Sequence, residues 1–171
     1  VVGNVDDPTK KIESAFRSLK RKTPIAQINV KEPTQKRPQK KIEKKNMLNS
    51  YVVIGYKTVK RKERDSYPLD VIQAILGRGQ SGKMFYEIRN KLGLAYEIGV
   101  HHETATTYGF FAVYFSTDKK NINRAIKIIL NELTNLKNTS EQELKEAKTF
   151  IEGSYLLQEE DTKRMADEYS S

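Results

Sequence analysis

The sequence predicts an α+β fold in which a mixed, mostly antiparallel sheet carries helices packed on one face. Three observations predict it. Period-two alternation marks a strand from Tyr51 to Val59. Two further strands, Ala95 to Glu103 and Tyr108 to Ser116, follow each other closely enough to pair locally. Helical periodicity arrives in pairs before and after them, and locally paired strands with paired helices favour α+β over a doubly wound parallel sheet.

Taken in order, Val1-Val2 with Gly3-Asn4 reads as the tail of a strand running into a turn. Asp7-Pro8 starts a helix, because Asp accepts from free amides and Pro suits the first turn. Ile12, Ala15, Phe16 and Leu19 share one face of it, and Lys20-Arg21-Lys22 sits where the helix dipole favours cations. Residues 31–46 are a basic linker or edge segment broken by Pro33 and Pro38. On the following strand Val52, Ile54, Tyr56 and Thr58 fall on one face. The next helix has Pro68 in its first turn, Leu69, Ile72, Ile75 and Leu76 as its apolar stripe, and Gly77 at its end. Ser81 is placed to cap a short helix whose stripe is Phe85, Ile88 and Leu92, with Gly93 ending it. Tyr96, Ile98, Val100 and His102 then share one strand face, where His102 reads as a structural histidine with its hydrogen bonds satisfied. The Tyr108 strand is apolar on both faces, which predicts a central position. Ile122, Ile126, Ile129, Leu133 and Leu136 line one late helix, and Ser140 with Glu143 forms a capping box for another carrying Leu144, Ala147, Ile151 and Tyr155.

Composition bounds the chemistry. The chain has 171 residues, a formal charge of +9 and no cysteine, and its only two histidines are neighbours, His101 and His102. That excludes disulfides, thiolate nucleophiles and Cys-ligated metal. Adjacent strand residues point to opposite faces, so the two imidazoles cannot converge on one ion. No apolar run is long enough to span a bilayer as a helix. We expect one α+β domain over 1–171, cut from a longer polypeptide, with a cytoplasmic location.

Two motifs weaken on inspection. Gly77, Gly82 and Lys83 match the skeleton of a phosphate-binding loop, but a helix precedes them and Met84 stands where that loop needs Ser or Thr. The basic run from Lys31 to Lys45 suits phosphates, yet offers no aromatic ring on which a base could stack.

The densest signal is an ordered series: Asp70, Ile75-Leu76-Gly77-Arg78-Gly79, Ser81, Phe85, then Ile88-Arg89-Asn90-Lys91-Leu92-Gly93-Leu94-Ala95-Tyr96. It resembles the pitrilysin/insulinase zinc metallopeptidases, which include the mitochondrial processing peptidases. Their recurrent block is a helix ending Leu-Gly-x-Gly, a short helix ending Arg-x-x-x-Gly-Leu-Ala-Tyr, and two strands. The opening Val1 to Asp6 and the late Glu143-Leu144, Ala147-Lys148 and Gly153 resemble further parts of that pattern.

The resemblance implies the second α+β unit of one half of a two-half peptidase, whose H-x-x-E-H zinc site belongs to another unit. It implies zinc in the parent enzyme or partner half and none in this chain, with no catalytic residue here. Its partners are a peptide substrate, the remaining domains and a second homologous half. Arg89 and Tyr96 occupy the positions whose Arg and Tyr hold substrate in such enzymes. A guanidinium and a phenol are both donors suited to a peptide carbonyl. A noncatalytic scaffold of the same fold, or a basic nucleic-acid-binding domain, are the alternatives.

Overall fold

Strand β1 (Ser50–Lys57), strand β2 (Glu97–Thr104) and strand β3 (Gly109–Thr117) form an antiparallel sheet in the order β1-β3-β2. The structure, a computed structural model, describes residues 2, 3, 6–19 and 33–170. The expected strand entry at Val1, Asn4 and Val5, the cations Lys20 to Lys22, and Lys31 with Glu32 lie outside the described residues. The chain gathers into two units, Lys31–Ile151 and Val1–Val30 with Glu152–Ser171.

In the larger unit β3 is central, as its two apolar faces predict. Val113 is opposite Ile54 on one side and Val100 on the other, and Phe115 is opposite Val52 and Ile98. These rows face the core. There they meet Leu76 of helix α2 (Ser66–Gly77), Met84 and Ile88 at and within a π-helical turn (Phe85–Lys91), and Ala125 and Ile129 of helix α3 (Ile122–Asn135). Each fully buried side chain of this size contributes roughly 1.5–3 kcal/mol of burial. The opposite sheet face exposes Tyr51, Val53 and His101, while Ala112 and Ser116 on the central strand are buried. A second small cluster joins Ala74 and Ile75 of α2 to Ala147 of helix α4 (Glu141–Glu159).

Local chemistry sets the ends. α2 stops at Gly77, where a Cβ would lie 2.8 Å from the Cβ of Val100, so the missing side chain lets the helix end lie against β2. The capping box forms as read. The Ser140 amide donates to Glu143 Oε2 at 2.9 Å, and the Glu143 amide donates to Ser140 Oγ at 3.2 Å. Ser81 departs from expectation. It lies in a 3-10 turn (Gly79–Ser81) and its hydroxyl turns back to the Arg78 carbonyl at 3.0 Å, because the tight turn satisfies it before any helix begins. From residue 33 to 46 the basic stretch forms neither helix nor strand and is exposed.

In the smaller unit, helix α1 (Thr9–Phe16) begins with the Thr9 amide on Asp7 Oδ1 at 3.2 Å. The helix ends before Leu19, whose amide closes a turn onto the Phe16 carbonyl, so Leu19 falls outside the helical stripe. Ile12, Phe16 and Leu19 are exposed. Helix α5 (Thr162–Ser170) starts where Asp161 Oδ1 accepts from the Lys163 and Arg164 amides.

Candidate functional site

The turn around Gly93 places both expected substrate-binding residues. Its φ of +59° is a conformation that glycine adopts without the steric cost of a Cβ, and it reverses the chain between the π-helical turn and β2. The Gly93 amide donates to the Arg89 carbonyl at 3.2 Å and the Leu94 amide to the Ile88 carbonyl at 2.9 Å. Buried Thr117 then ties the far side of the turn down by donating its hydroxyl to the Leu94 carbonyl.

Arg89 and Tyr96 lie on either side of this turn, and the structure gives them different partners. The Arg89 side chain is exposed and its guanidinium carbon stands 4.7 Å from the Phe85 ring centroid. That cation–π contact is worth about 0.5–1 kcal/mol at an exposed site and leaves the N–H fork available. Tyr96 is 54% exposed and donates its phenolic hydrogen to Asp118 Oδ1 at 3.0 Å. This hydrogen bond, with the negative charge of Asp118 behind it, raises the phenol pKa above its ordinary value. Asp118 was missed in the sequence because its proximity depends on the β2–β3 register: it sits just past β3, near the row where Glu97 faces Ser116.

The glycine-rich turn is built for packing. Lys83 bridges to Glu143 at 2.7 Å, and that contact, together with the Ser140 amide, lowers the Glu143 carboxyl to about 2. A Cβ on Gly82 would meet the Leu76 carbonyl oxygen at 2.7 Å. Beside this turn lies a cleft of about 490 Å³ lined by Arg78, Ser81, Gln142, Lys145, Glu146 and neighbours. Arg78 pairs with Glu146 across it through Nη2, while its Nη1 is buried without a partner.

The two histidines take opposite faces. His102 is buried, with Nδ1 2.7 Å from Asp70 Oδ1 and its amide on Gln73 Oε1 at 2.6 Å. Its other ring nitrogen, Nε2, is buried without a partner. His101 is exposed and lies 3.2 Å from Glu103, which also accepts from Tyr108; these two contacts lower the Glu103 pKa. Among the described residues no group of three or more His, Cys, Asp or Glu could hold a metal ion, and the divergent imidazoles do not fit zinc. Nor is any described helix long and apolar enough to cross a membrane.

Comparison with known proteins decides the family. The profile described as the peptidase M16 inactive domain matches residues 1–151. The chain belongs to that family. As an M16 inactive domain it is similar to an uncharacterized zinc protease of Rickettsia felis, at 33% identity over 95 residues, covering 55% of this chain and 23% of the relative. An uncharacterized zinc protease of Bacillus subtilis is 26% identical over 165 residues, covering 95% of this chain and 40% of the relative. A protease structure from Helicobacter pylori shares the fold, with a TM-score of 0.76, 23% identity, and coverage of 97% of this chain and 42% of that one. The M16 inactive domain thus spans less than half the length of these proteins.

Proposed function

We propose that this domain is a noncatalytic wall of the peptide chamber in a zinc-dependent metallopeptidase, and that Arg89 and Tyr96 hold the substrate backbone. The observation that carries the reading is the pair of exposed polar side chains flanking the Gly93 turn, in a domain whose family is peptidase-derived and whose own residues do not fit zinc. Zinc supplied elsewhere in the parent would activate the attacking water.

The partner of Tyr96 refines its role. A phenol has one hydrogen, and Tyr96 gives it to Asp118, so its oxygen is left as an acceptor. Arg89 has only donors. Together they suit the two halves of a peptide unit, with Arg89 donating to the carbonyl and Tyr96 accepting from the N–H. In the complete parent peptidase, Tyr96→Phe and Arg89→Ala should lower kcat/KM while melting temperature and bound zinc stay unchanged. Losing a donor to a developing oxyanion costs roughly 3 kcal/mol, about a hundredfold in rate. Losing the neutral acceptor at Tyr96 costs less, about tenfold. Full activity in both variants would leave the domain a scaffold.

A further inference from the structure

Between Pro33 and the start of β1 the chain forms neither helix nor strand, and residues 33–48 are exposed. Among the described residues this backbone makes no bond to another backbone group. Its contacts are Gln35 Nε2 on the Arg37 carbonyl at 3.1 Å and the Lys57 ammonium on the Pro33 carbonyl at 3.4 Å. The second contact fixes the start of the segment beside the C-terminal end of β1, while its own end leads into Ser50 at the other. The segment therefore runs the length of an eight-residue strand, roughly 25 Å.

Along that length cations alternate with aliphatic side chains. Lys36, Arg37, Lys40, Lys41, Lys44 and Lys45 stand against Glu43 alone, and among the described residues only Lys45 pairs with that carboxylate, at 3.2 Å. Interleaved with them, Ile42 is 68% exposed, Met47 56% and Leu48 102%. A linker kept only for solubility gains nothing from three uncovered aliphatic groups. The charge suits either a nucleic acid or an anionic lipid surface, and the uncharged residues choose between them. Nucleic-acid strands gain from stacking on rings, and residues 33–49 contain no Phe, Tyr, Trp or His. A bilayer offers the apolar phase that Ile42, Met47 and Leu48 lack, directly beneath the anionic headgroups that attract lysine.

We propose that residues 36–48 dock this domain on an anionic phospholipid surface, with the cations at headgroup level and Ile42, Met47 and Leu48 at the acyl boundary. The backbone stays among hydrated headgroups, so its unpaired amides keep water as a partner. The domain lies on such a membrane and does not span it. This goes beyond the chamber reading and does not depend on it. The test uses the 171-residue chain alone, so its failure leaves the predictions for Arg89 and Tyr96 standing.

Float the chain with vesicles of phosphatidylcholine containing about 30% phosphatidylserine, and with vesicles of phosphatidylcholine alone. Only the anionic vesicles should retain it, and raising salt from about 0.05 to 0.5 M should release it. Replacing Lys40, Lys41, Lys44 and Lys45 with Ser should weaken retention on the order of a hundredfold. Replacing Ile42, Met47 and Leu48 with Ser should weaken it at least about tenfold, and both variants should melt as the parent chain does. The chain has no Trp, so Leu48→Trp supplies a single reporter of depth. Its emission should move to the blue on anionic vesicles and stay unchanged with a short RNA. Equal retention on neutral vesicles, full retention of either Ser variant, or vesicle binding without the blue shift overturns the proposal. So does displacement from the vesicles by RNA at equal phosphate concentration, which would assign the strip to nucleic acid.

Discussion

Glu143 does three jobs through one carboxylate: it accepts from the Ser140 amide, from the Ser140 hydroxyl and from Lys83 on the preceding turn. Its pKa falls to about 2, with the Lys83 contact the largest cause. A depressed carboxyl stabilises the fold above its unfolded pKa of about 4.3 and loses that contribution as pH falls toward the folded value. Glu143→Gln keeps much of the cap and loses the ion pair. It should cost about 1 kcal/mol near neutrality, discounted for partial exposure. Urea unfolding of both proteins from pH 7 to 2.5 checks this, because the difference should shrink between about pH 4 and 2. The cap was legible in the sequence because Ser140 and Glu143 are three residues apart, whereas Lys83 lies sixty residues earlier and no local spacing reveals it. The same limit applies to the candidate site. Arg89 and Tyr96 stand in one continuous motif, but Asp118, which turns the phenol from donor into acceptor, arrives only through strand pairing.

At the scale of elements, α2 and β2 touch through a glycine. Gly77→Ala puts a Cβ against the Val100 Cβ, an atom close to the backbone with little room to yield, and should destabilise by about 1–3 kcal/mol. Val100→Ala in the same chain should recover part of that loss, which thermal or urea melts of the single and double variants would show. The basic segment behaves oppositely. Replacing Lys36, Arg37, Lys40 and Lys41 with Ser should change stability by no more than about 0.5 kcal/mol, since from residue 33 to 46 every side chain is exposed. A large drop in the melt would mean that these charges are paired within the fold. Strands and helices with a buried stripe were readable because burial writes itself as periodicity, and β3 announced its central place by being apolar on both faces. α1 has the same helical spacing at Ile12, Ala15 and Phe16, yet none of its residues is buried, because periodicity records an apolar face and not what covers it.

For the whole molecule, purified chain supplied with zinc should retain less than one equivalent after gel filtration and should leave an unstructured fluorogenic peptide intact. Its histidines face apart, and no cluster among the described residues could ligate the ion. Chelator-sensitive cleavage that co-purifies with the chain would overturn the noncatalytic reading. In the proposed function zinc and turnover are supplied elsewhere; the chain spans less than half the length of the relatives it matches. The sheet order also has a consequence in time. Among the described residues β1 pairs only with β3, whose first residue follows the end of β1 by roughly fifty residues, so at 5–20 residues per second a growing chain leaves β1 without that neighbour for about 3–10 s. Throughout that interval a run of Tyr51-Val52-Val53-Ile54 waits on the ribosome, a sequence able to recruit identical nascent strands. The lysines on either side of it are gatekeepers for that wait, whatever they do afterwards, and removing them should lower soluble yield during synthesis even where the finished protein melts at an unchanged temperature.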